Sequence, residues 1–326
     1  MKCSFAPMEG ITGYLFRNAH HQFYGHIDHY YTPFITPTQT RKLTSRELND
    51  ILPEHNAGIP VIPQILGNHA ENFRWAAERI RELGYREINL NLGCPSATVV
   101  SKHRGAGLLG RTEELEGFLD SICDSMQRLG MELSVKTRIG MADPSEFEDL
   151  IQLYNRFPLK ELIVHPRVRT DFYKNHPNLD AFALAVQESR HPLCYNGDLF
   201  SIKDVQTFHQ RFPQVEHVMV GRGLLANPSL AGEICGVSGA GLDKKTLRAY
   251  HDAIFEAYSQ IASGDRNVLF KMKELWCYLG DAFADSEKQI KKIRKSQHRS
   301  DYETAVSRLF AEYPLADPPA FRGWKP

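Results

Sequence analysis

No stretch of the sequence approaches the roughly eighteen uncharged apolar residues of a membrane-spanning helix. Its opening residues, MKCSFAPMEG, lack the apolar run of a secretory signal, so we expect a cytoplasmic protein that does not bind membranes. Six cysteines are spread along the chain without a CxxC pair, which in a reducing compartment predicts free thiols. The sequence also lacks net charge, because 39 Lys and Arg balance 39 Asp and Glu. Nonspecific binding of polyanions by the whole surface is therefore not expected.

A metal site is not expected either. One segment is rich in metal-ligand side chains: His20, His21, His26, Asp28 and His29. No second set of carboxylates and histidines matches this segment elsewhere in the chain, so the sequence predicts no bound metal.

Short β-rich apolar runs recur along the chain, each followed by a longer helical pattern. Strands are predicted at 2–8, 26–35, 59–67, 86–93, 133–140, 161–167, 192–198 and 217–223. Helices are predicted at 14–25, 71–84, 112–130, 144–157, 178–190 and 201–212, two of them ending at the C-cap glycines Gly84 and Gly130. Eight such units predict an α/β fold, a (β/α)₈ TIM barrel over residues 1–238. A doubly wound open sheet is the alternative, disfavoured because no GxGxxG turn follows the first strand.

A linker rich in glycine at 232–243 precedes a region with no strand signal. Helices predicted at 244–262, 267–283, 287–296 and 301–313 indicate a small all-helical C-terminal domain at 242–314, followed by a loosely held tail at 315–326. Between 287 and 299 the local charge balance is +5, and on one helix five cations would share a face: Lys288, Lys291, Lys292, Lys295 and Arg299. Composition alone does not decide between a solvated face and an electrostatic footprint for nucleic acid.

Polar and charged residues close the strongly apolar strands. In barrels of this kind functional residues lie at the carboxyl ends of strands, and these ends carry Pro7, Met8, Glu9, Gln64, Asn91, Cys94, Lys136, Arg138, His165, Asn196, Gly197, Asp198, Gly221 and Arg222. Core packing does not predict such a set, whereas one shared active mouth does. The loops after strands seven and eight combine glycine backbones with the Arg222 guanidinium, which favours phosphate binding over ordinary turn chemistry.

Two strand-end side chains suggest specific chemistry. Lys136 lies near the middle of the predicted mouth, where it suits the stabilisation of negative charge on a bound ring system. Cys94 stands directly before a proline in a restricted turn after a strand. A cysteine thiol with a pKa of about 8.5 is mostly protonated at neutral pH, so Cys94 is a candidate proton donor.

At these residues the sequence resembles the tRNA-dihydrouridine synthases, flavoenzymes that reduce uridine to dihydrouridine in transfer RNA. The resemblance covers most of the chain and is carried by APMEGIT (6–12), NLGCPSATVVSKHRGAGLLG (91–110), VKTRIG (135–140), YNGDL (195–199) and VMVGRGLLANPSL (218–230). The chain departs from the family pattern twice. It has HPRVRTDFY (165–173) where the family commonly shows HGRT, and Glu9 where the family often has alanine.

The resemblance implies a role for each residue of the mouth. FMN would be held by Pro7, Met8, Glu9, Gln64, Lys136, His165, Asn196, Gly197, Asp198, Gly221 and Arg222. Cys94 would be the general acid, and the target uracil would contact Asn91, Arg138 and Tyr173. NADPH or NADH would reduce the FMN, which would then reduce the C5–C6 double bond of a uridine in the D-loop region of a tRNA bound by the helical domain. A monomer is expected.

Three other functions stay open from the sequence. The first is a small-molecule, FMN-dependent reductase of the dihydroorotate dehydrogenase type, which would share the barrel and the phosphate site. The second is a flavin-free aldolase or isomerase that uses Lys136 as a Schiff base. The third is a non-catalytic RNA-binding module, which would leave the polar strand ends unexplained.

Overall fold

The computed structural model describes residues 1–323, which contain a single sheet of nine parallel strands. The strands are β1 Lys2–Phe5, β2 His29–Tyr31, β3 Val61–Ile62, β4 Gln64–Ile65, β5 Glu87–Leu92, β6 Glu132–Arg138, β7 Leu162–His165, β8 Leu193–Tyr195 and β9 His217–Val220. Their order across the sheet is β3-β2-β1-β9-β8-β7-β6-β5-β4.

The sheet closes into a barrel through the segment that contains Pro63. Strands β3 and β4 lie at opposite ends of the sheet order, yet only this residue separates them along the chain. On one side Thr32 N–H donates to Ile62 O at 3.1 Å, and on the other Asn89 N–H donates to Pro63 O at 2.9 Å. The strand predicted at 59–67 is thus divided at a residue that has no N–H to donate. The predicted TIM barrel is confirmed, and the open sheet is excluded.

Helices surround the barrel at most of the predicted positions. They are α1 Tyr14–Phe23, α2 Ser45–Asn49, α3 Ala70–Glu82, α4 Ala97–Val100, α5 Thr112–Leu129, α6 Glu146–Tyr154, α7 Leu179–Glu188, α8 Ile202–Arg211, α9 Arg222–Ala226 and α10 Leu230–Ile234. Helix α5 ends at Gly130, whose φ of 62° is the left-handed conformation that a C-cap glycine supplies. The short helices α2, α4, α9 and α10 had no predicted counterpart, and α10 occupies the start of the predicted linker.

Strand residues alternate between two environments. On β5, Ile88, Leu90 and Leu92 are fully buried in the main hydrophobic core, where the helices pack on the outside of the sheet. A second, smaller apolar cluster fills part of the barrel interior: Ala6, Tyr31, Ile62, Ile163, Cys194 and Met219. The intervening β5 residues, Glu87 and Asn89, are polar and also face inward. The barrel interior therefore combines a small apolar core with a polar side.

Four further helices follow the barrel: α11 Lys244–Ile261, α12 Asp265–Leu279, α13 Glu287–Lys295 and α14 Arg299–Glu312. They share a core in which the Trp276 indole N–H donates to the Tyr302 hydroxyl at 2.8 Å. Helix α12 also reaches the barrel, because the Lys271 ammonium donates to Gly10 O at 2.8 Å. The helical region consequently lies beside the loop that follows β1. No helix among residues 1–323 is long and apolar enough to cross a bilayer.

The predicted five-cation helix face is wrong at Arg299. Helix α13 ends at Lys295, since Ser296 adopts a ψ of 134°, and Arg299 begins the next helix. Its guanidinium donates to Glu303 at 2.9 Å and lies 4.7 Å above the Phe255 ring. Because that charge is already paired, four lysines of α13 remain on the face.

The C-terminal segment is not the loosely held tail that its proline content predicted. Ala316 N–H donates to Ala282 O at 2.8 Å, and Phe321 is only 6% exposed. Local composition missed this packing because its partners lie elsewhere in the sequence. The rest of the predicted tail, 324–326, lies outside the described residues.

Candidate active site

A cavity of about 70 Å³ opens at the carboxyl ends of the barrel strands. It is lined by Ala6, Pro7, Met8, Lys136, His165, Tyr173, Asn196, Gly197, Asp198, Leu199, Phe200, Gly221, Arg222 and Gly223. Nine of the eleven residues predicted to hold a cofactor are among them. Of the other two, Gln64 is buried in the barrel interior and Glu9 is exposed, paired with Arg46.

Glycines form part of the cavity wall because side chains would not fit there. A Cβ atom at Gly197 would lie 2.2 Å from the Tyr195 hydroxyl, and one at Gly223 would lie 2.3 Å from Leu199 O. Both loops, after β8 and after β9, therefore present bare backbone at the cavity. Backbone of this kind can approach a bound anion closely.

The Lys136 ammonium has no partner among the described residues. Its half-buried side chain lines the cavity and forms no hydrogen bond or ion pair with any residue between 1 and 323. Burial, together with the nearby charge of Arg138, lowers the pKa of Lys136 to about 8. A desolvated, unpaired cation at a cavity wall is an arrangement that binding of an anion or an electron-rich ring would stabilise.

We expect Lys136→Met to stabilise the ligand-free protein. Because the pKa falls from an ordinary 10.5 to about 8, the folded state binds fewer protons than the unfolded chain across this window. Wild-type stability therefore gains a contribution as pH rises from about 8 to 10.5, and below pH 8 the lysine is fully destabilising. Urea unfolding at pH 7 should show a gain of about 1–3 kcal/mol for the variant and a flatter rise at alkaline pH. Lys203→Met, on the exposed surface of α8, is the control, and an unchanged or lowered stability for Lys136→Met would contradict the assignment.

His165 offers one N–H group to the cavity. Its Nε2 lies 3.0 Å from Nη1 of Arg167, and because a guanidinium only donates, Nε2 accepts and the proton resides on Nδ1. Burial and the surrounding cations lower the pKa of His165 well below its usual value, so the ring is neutral. The Nδ1–H group has no partner within residues 1–323 and is available to a ligand.

Arg167 organises this side of the site, although the sequence assigned it no role. It is 1% exposed, and its two Nη atoms donate to the two carboxylate oxygens of Asp198 at 2.9 and 2.5 Å. Arg222 donates to the same carboxylate at 2.7 Å. Asp198 therefore bridges two arginines, and their charges outweigh its own. The sequence signals were the position of Arg167 two residues after the end of β7 and its place in HPRVRTDFY (165–173), where the chain departs from the family pattern.

Aromatic rings surround the Arg222 guanidinium. Its carbon lies 4.7 Å from the Tyr173 ring centre, 5.1 Å from Phe200 and 5.3 Å from Phe321. Contacts of this geometry stabilise a guanidinium that has been removed from water. Phe200 and Phe321 were not predicted, and Phe321 brings the C-terminal segment to the wall of the site.

Asn91 and Arg138 hold the turn that carries Cys94. The Asn91 side-chain oxygen accepts the N–H groups of Gly93 and Cys94 at 3.0 and 2.9 Å. Arg138, 1% exposed, donates to Gly93 O at 2.9 Å and to Phe172 O at 2.8 Å. The turn is thereby joined to the loop after β7. Direct contact of Asn91, Arg138 and the 47% exposed Tyr173 with a substrate stays a prediction.

The Cys94 thiol is half-buried and protonated at neutral pH. Burial raises its pKa, against a backbone N–H from Ser96 and the charges of Arg138 and Lys136, which lower it. The backbone beneath it needs Gly105, where a Cβ atom would lie 2.9 Å from Cys94 O and φ is 55°. Geometry and protonation state both suit a proton donor.

One group of metal-ligand side chains comes together within residues 1–323. Glu161, Cys194 and His217 place their ligand atoms within 4.8 Å of one another. His217 Nδ1 donates to Glu161 at 2.6 Å and its Nε2 lies 2.8 Å from the Ser4 hydroxyl, so neither nitrogen is free. In the histidine-rich segment, His20 bonds through both nitrogens to Tyr30 and to Pro228 O. The absence of a metal stays a prediction.

Comparison with known proteins identifies relatives over most of the chain. A family model described as dihydrouridine synthase (Dus) matches residues 4–307. The chain is 25% identical over 318 residues to a tRNA-dihydrouridine(16) synthase of Vibrio parahaemolyticus, which covers 90% of this chain and 92% of that protein. It is 29% identical over 231 residues to a probable tRNA-dihydrouridine synthase of Staphylococcus epidermidis, which covers 68% of each.

Solved structures share the barrel. Morphinone reductase in complex with tetrahydroNAD has a TM-score of 0.51 and 13% identity, covering 75% of this chain and 89% of that one. Histamine dehydrogenase from Rhizobium sp. 4-9 has a TM-score of 0.52 and 13% identity, covering 72% of this chain and 45% of that one. At these identities the likeness shows the fold alone.

Proposed function

The chain belongs to the dihydrouridine synthase family of oxidoreductases, and from this premise we propose that it reduces a uridine in the D-loop region of tRNA, using FMN and NADPH or NADH. One observation carries the proposal: the glycine-walled cavity with its unpaired Lys136 lies beside a turn that holds the protonated Cys94. Two relatives of nearly full length are named tRNA-dihydrouridine(16) synthases, so uridine 16 is the first position to examine.

The cavity fits the anionic end of FMN. Its volume of about 70 Å³ is that of about two water molecules, which is room for a phosphate-sized group. The backbone at Gly197 and Gly221 would hold the phosphate, with Arg222 supplying charge-assisted hydrogen bonds. Asp198 does not oppose this binding, because Arg167 and Arg222 already neutralise its charge.

The remaining cavity groups suit the flavin ring. Lys136 would place its charge beside the part of the ring that becomes electron-rich on reduction, and the neutral His165 would donate its Nδ1–H. Bound FMN, once reduced by NADPH or NADH, would supply the hydride that the reaction needs. Cys94 holds a proton on Sγ and delivers it to uracil C5, while Asn91 and Arg138 keep its turn in place.

We expect Arg222→Ala to weaken retention of FMN. The variant lacks charge-assisted hydrogen bonds that contribute about 1.5–3 kcal/mol, which corresponds to roughly tenfold or more in the dissociation constant. Equilibrium dialysis against FMN measures the change directly. Arg211→Ala is the matched control, because Arg211 also lies over a ring, that of Phe212 at 5.3 Å, but outside the cavity. Equal FMN affinity in wild type and Arg222→Ala would contradict the assignment of the phosphate site to these loops.

We also propose that the barrel and the helical region have different functions. Residues 1–238 would bind FMN, and residues 242–314 would bind tRNA. The support for tRNA binding is the exposed face of α13, where Lys288, Lys291, Lys292 and Lys295 form no ion pair within residues 1–323. The face borders a groove of about 870 Å³. Uracil must leave its stack to reach the flavin, which requires that the RNA be held beside the mouth.

We expect the triple variant Lys291→Glu, Lys292→Glu, Lys295→Glu to bind tRNA more weakly and with less salt dependence. For each phosphate that the variant no longer neutralises, the slope of log K against log salt should become shallower by about 0.7–0.9. Filter binding across a salt series measures both quantities. The control carries the same charge change at the opposite end of the barrel, where Lys2, Arg86 and Arg190 are exposed. If both triple variants shift the slope equally, or neither does, tRNA docks elsewhere.

A further inference from the structure

A chain of hydrogen bonds crosses the barrel interior beneath the active site. It begins at Glu87, the first residue of β5, whose carboxylate pairs with the Lys160 ammonium at 2.8 Å. The Ser134 hydroxyl donates to the other oxygen of Glu87 at 2.8 Å. The Asn89 amide in turn donates to the Ser134 oxygen at 3.0 Å.

The same chain continues upward to the catalytic turn. The Gln64 amide donates to the Asn89 side-chain oxygen at 2.8 Å, and the Asn91 amide donates to Gln64 at 2.7 Å. The oxygen of Asn91 then accepts the N–H of Cys94 at 2.9 Å. Five side chains thus connect the amino end of the barrel to the backbone of the proposed proton donor.

Strand register explains why these side chains meet. Asn89 is the pairing partner of Gln64 on β4 and of Ser134 on β6, so all three lie in one layer of the barrel. Residues 87, 89 and 91 share the inward face of β5 because side chains alternate along a strand. Gln64, Asn89 and Ser134 are completely buried, so bulk solvent is not available to them as an alternative partner.

The directions of these hydrogen bonds are fixed at both ends: the Glu87 carboxylate can only accept at the base, and the N–H groups of Gly93 and Cys94 can only donate to the Asn91 oxygen at the top. A carboxylate only accepts, so the Ser134 hydroxyl donates to Glu87 and its oxygen is left to accept from the Asn89 NH₂ group. The Asn89 oxygen then faces Gln64, whose oxygen faces the NH₂ group of Asn91. Reversal of any one amide would bring two donors or two acceptors together. The oxygen of Asn91 is thereby directed at the turn.

We propose that Glu87, Ser134 and Asn89 are positioning residues for Cys94, acting through the fixed amide orientations of Gln64 and Asn91. None of the three lines the cavity, so they act at a distance from substrate and cofactor. The expected effect on catalysis rests on the proposed function of Cys94 as proton donor. The expected effect on the geometry of the turn is independent of that proposed function.

Ser134→Ala tests the proposal by removing the middle of the chain. Ser4→Ala is the matched control. Ser4 is also completely buried, and its hydroxyl forms a hydrogen bond with His217, which does not belong to the series from Glu87 to Asn91. The first readout is the rate at which iodoacetamide alkylates Cys94 in the purified protein, followed from about pH 6.5 to 9.5 by mass spectrometry of the Cys94 peptide. The second is the KM and kcat for dihydrouridine formation in tRNA.

In Ser134→Ala the loosened turn should expose the thiol, lower its apparent pKa and raise its alkylation rate at neutral pH by about threefold or more. The kcat should fall by about tenfold or more with little change in the KM for tRNA. Ser4→Ala should alter neither. Alkylation that is unchanged in Ser134→Ala, or that changes equally in both variants, would overturn the proposal. If the wild type forms no dihydrouridine, the proposed function fails, while the alkylation comparison still decides the role of the chain.

A second pair of variants applies if Ser134→Ala does not fold. Glu87→Gln replaces the obligate acceptor at the base with a group that can also donate, so the directions of the hydrogen bonds are no longer fixed from the base. Glu132→Gln is its control, because Glu132 pairs with the same Lys160 but receives no bond from Ser134. Faster alkylation of Cys94 in Glu87→Gln alone supports the proposal, and equal rates in the two variants contradict it.

Discussion

Replacing Cys94 with alanine should lower the rate of dihydrouridine formation by about 10²–10⁴-fold, the usual contribution of a general acid. The reason is that burial keeps the thiol protonated while Asn91 and Arg138 fix its position. FMN content and the rate of flavin reduction by NADPH should stay near wild type, since Cys94 does not line the cavity. Single-turnover measurements of the two half-reactions separate these effects.

Cys235→Ala is the control for Cys94→Ala. Cys235 is exposed and does not line the cavity, and its thiol donates to the backbone oxygens of Met1 and His26. Near-normal dihydrouridine formation by Cys94→Ala would remove this residue from the mechanism. A defect confined to flavin reduction would instead assign it to the other half-reaction.

Replacing Arg167 with methionine should lower the free energy of unfolding by about 3 kcal/mol, because removal of one partner from a buried ion pair leaves the other partly unpaired. Asp198 would retain only its bond to Arg222, and His165 Nε2 would lose its donor. Urea unfolding at pH 7 measures the decrease. FMN retention should fall as well, since the Asp198 carboxylate would then oppose a bound phosphate.

The matched control for Arg167→Met is Arg211→Met. Arg211 also pairs with an aspartate, Asp180, but the two side chains are 46% and 90% exposed. Exposed pairs of this kind contribute about 0–1 kcal/mol. If the two variants lose the same small amount of stability, the buried arrangement around Asp198 is not the stabilising element that its geometry indicates.

Regular alternation made the barrel predictable from the sequence. Each strand–helix unit is encoded within about thirty residues, and the carboxyl ends of parallel strands meet at one face, so nine of the predicted cofactor residues do line one cavity. Local sequence patterns were therefore sufficient to predict the barrel and most of the cavity lining. The division of one predicted strand at Pro63 also has a local cause, because proline has no N–H to donate.

Features that depend on distant partners were not predictable in the same way. The structural role of Arg167 depends on its ion pair with Asp198, which lies 31 positions further along the chain. Phe321 is brought to Arg222 by helices whose packing the sequence does not display. Arg299 matched a helical spacing, but the chain leaves the helix at Ser296. In each of these cases tertiary contacts decided the outcome over local pattern.

The most direct test of the proposed function uses the purified protein and a tRNA transcribed without modifications. After incubation with FMN and NADPH under anaerobic conditions, mass spectrometry of the digested tRNA should show a uridine in the D-loop region that has gained two hydrogens. Cys94→Ala should not form this product at a comparable rate. A flavin-containing protein that oxidises NADPH and leaves every uridine intact, while it turns over a small substrate such as dihydroorotate, would contradict the proposal.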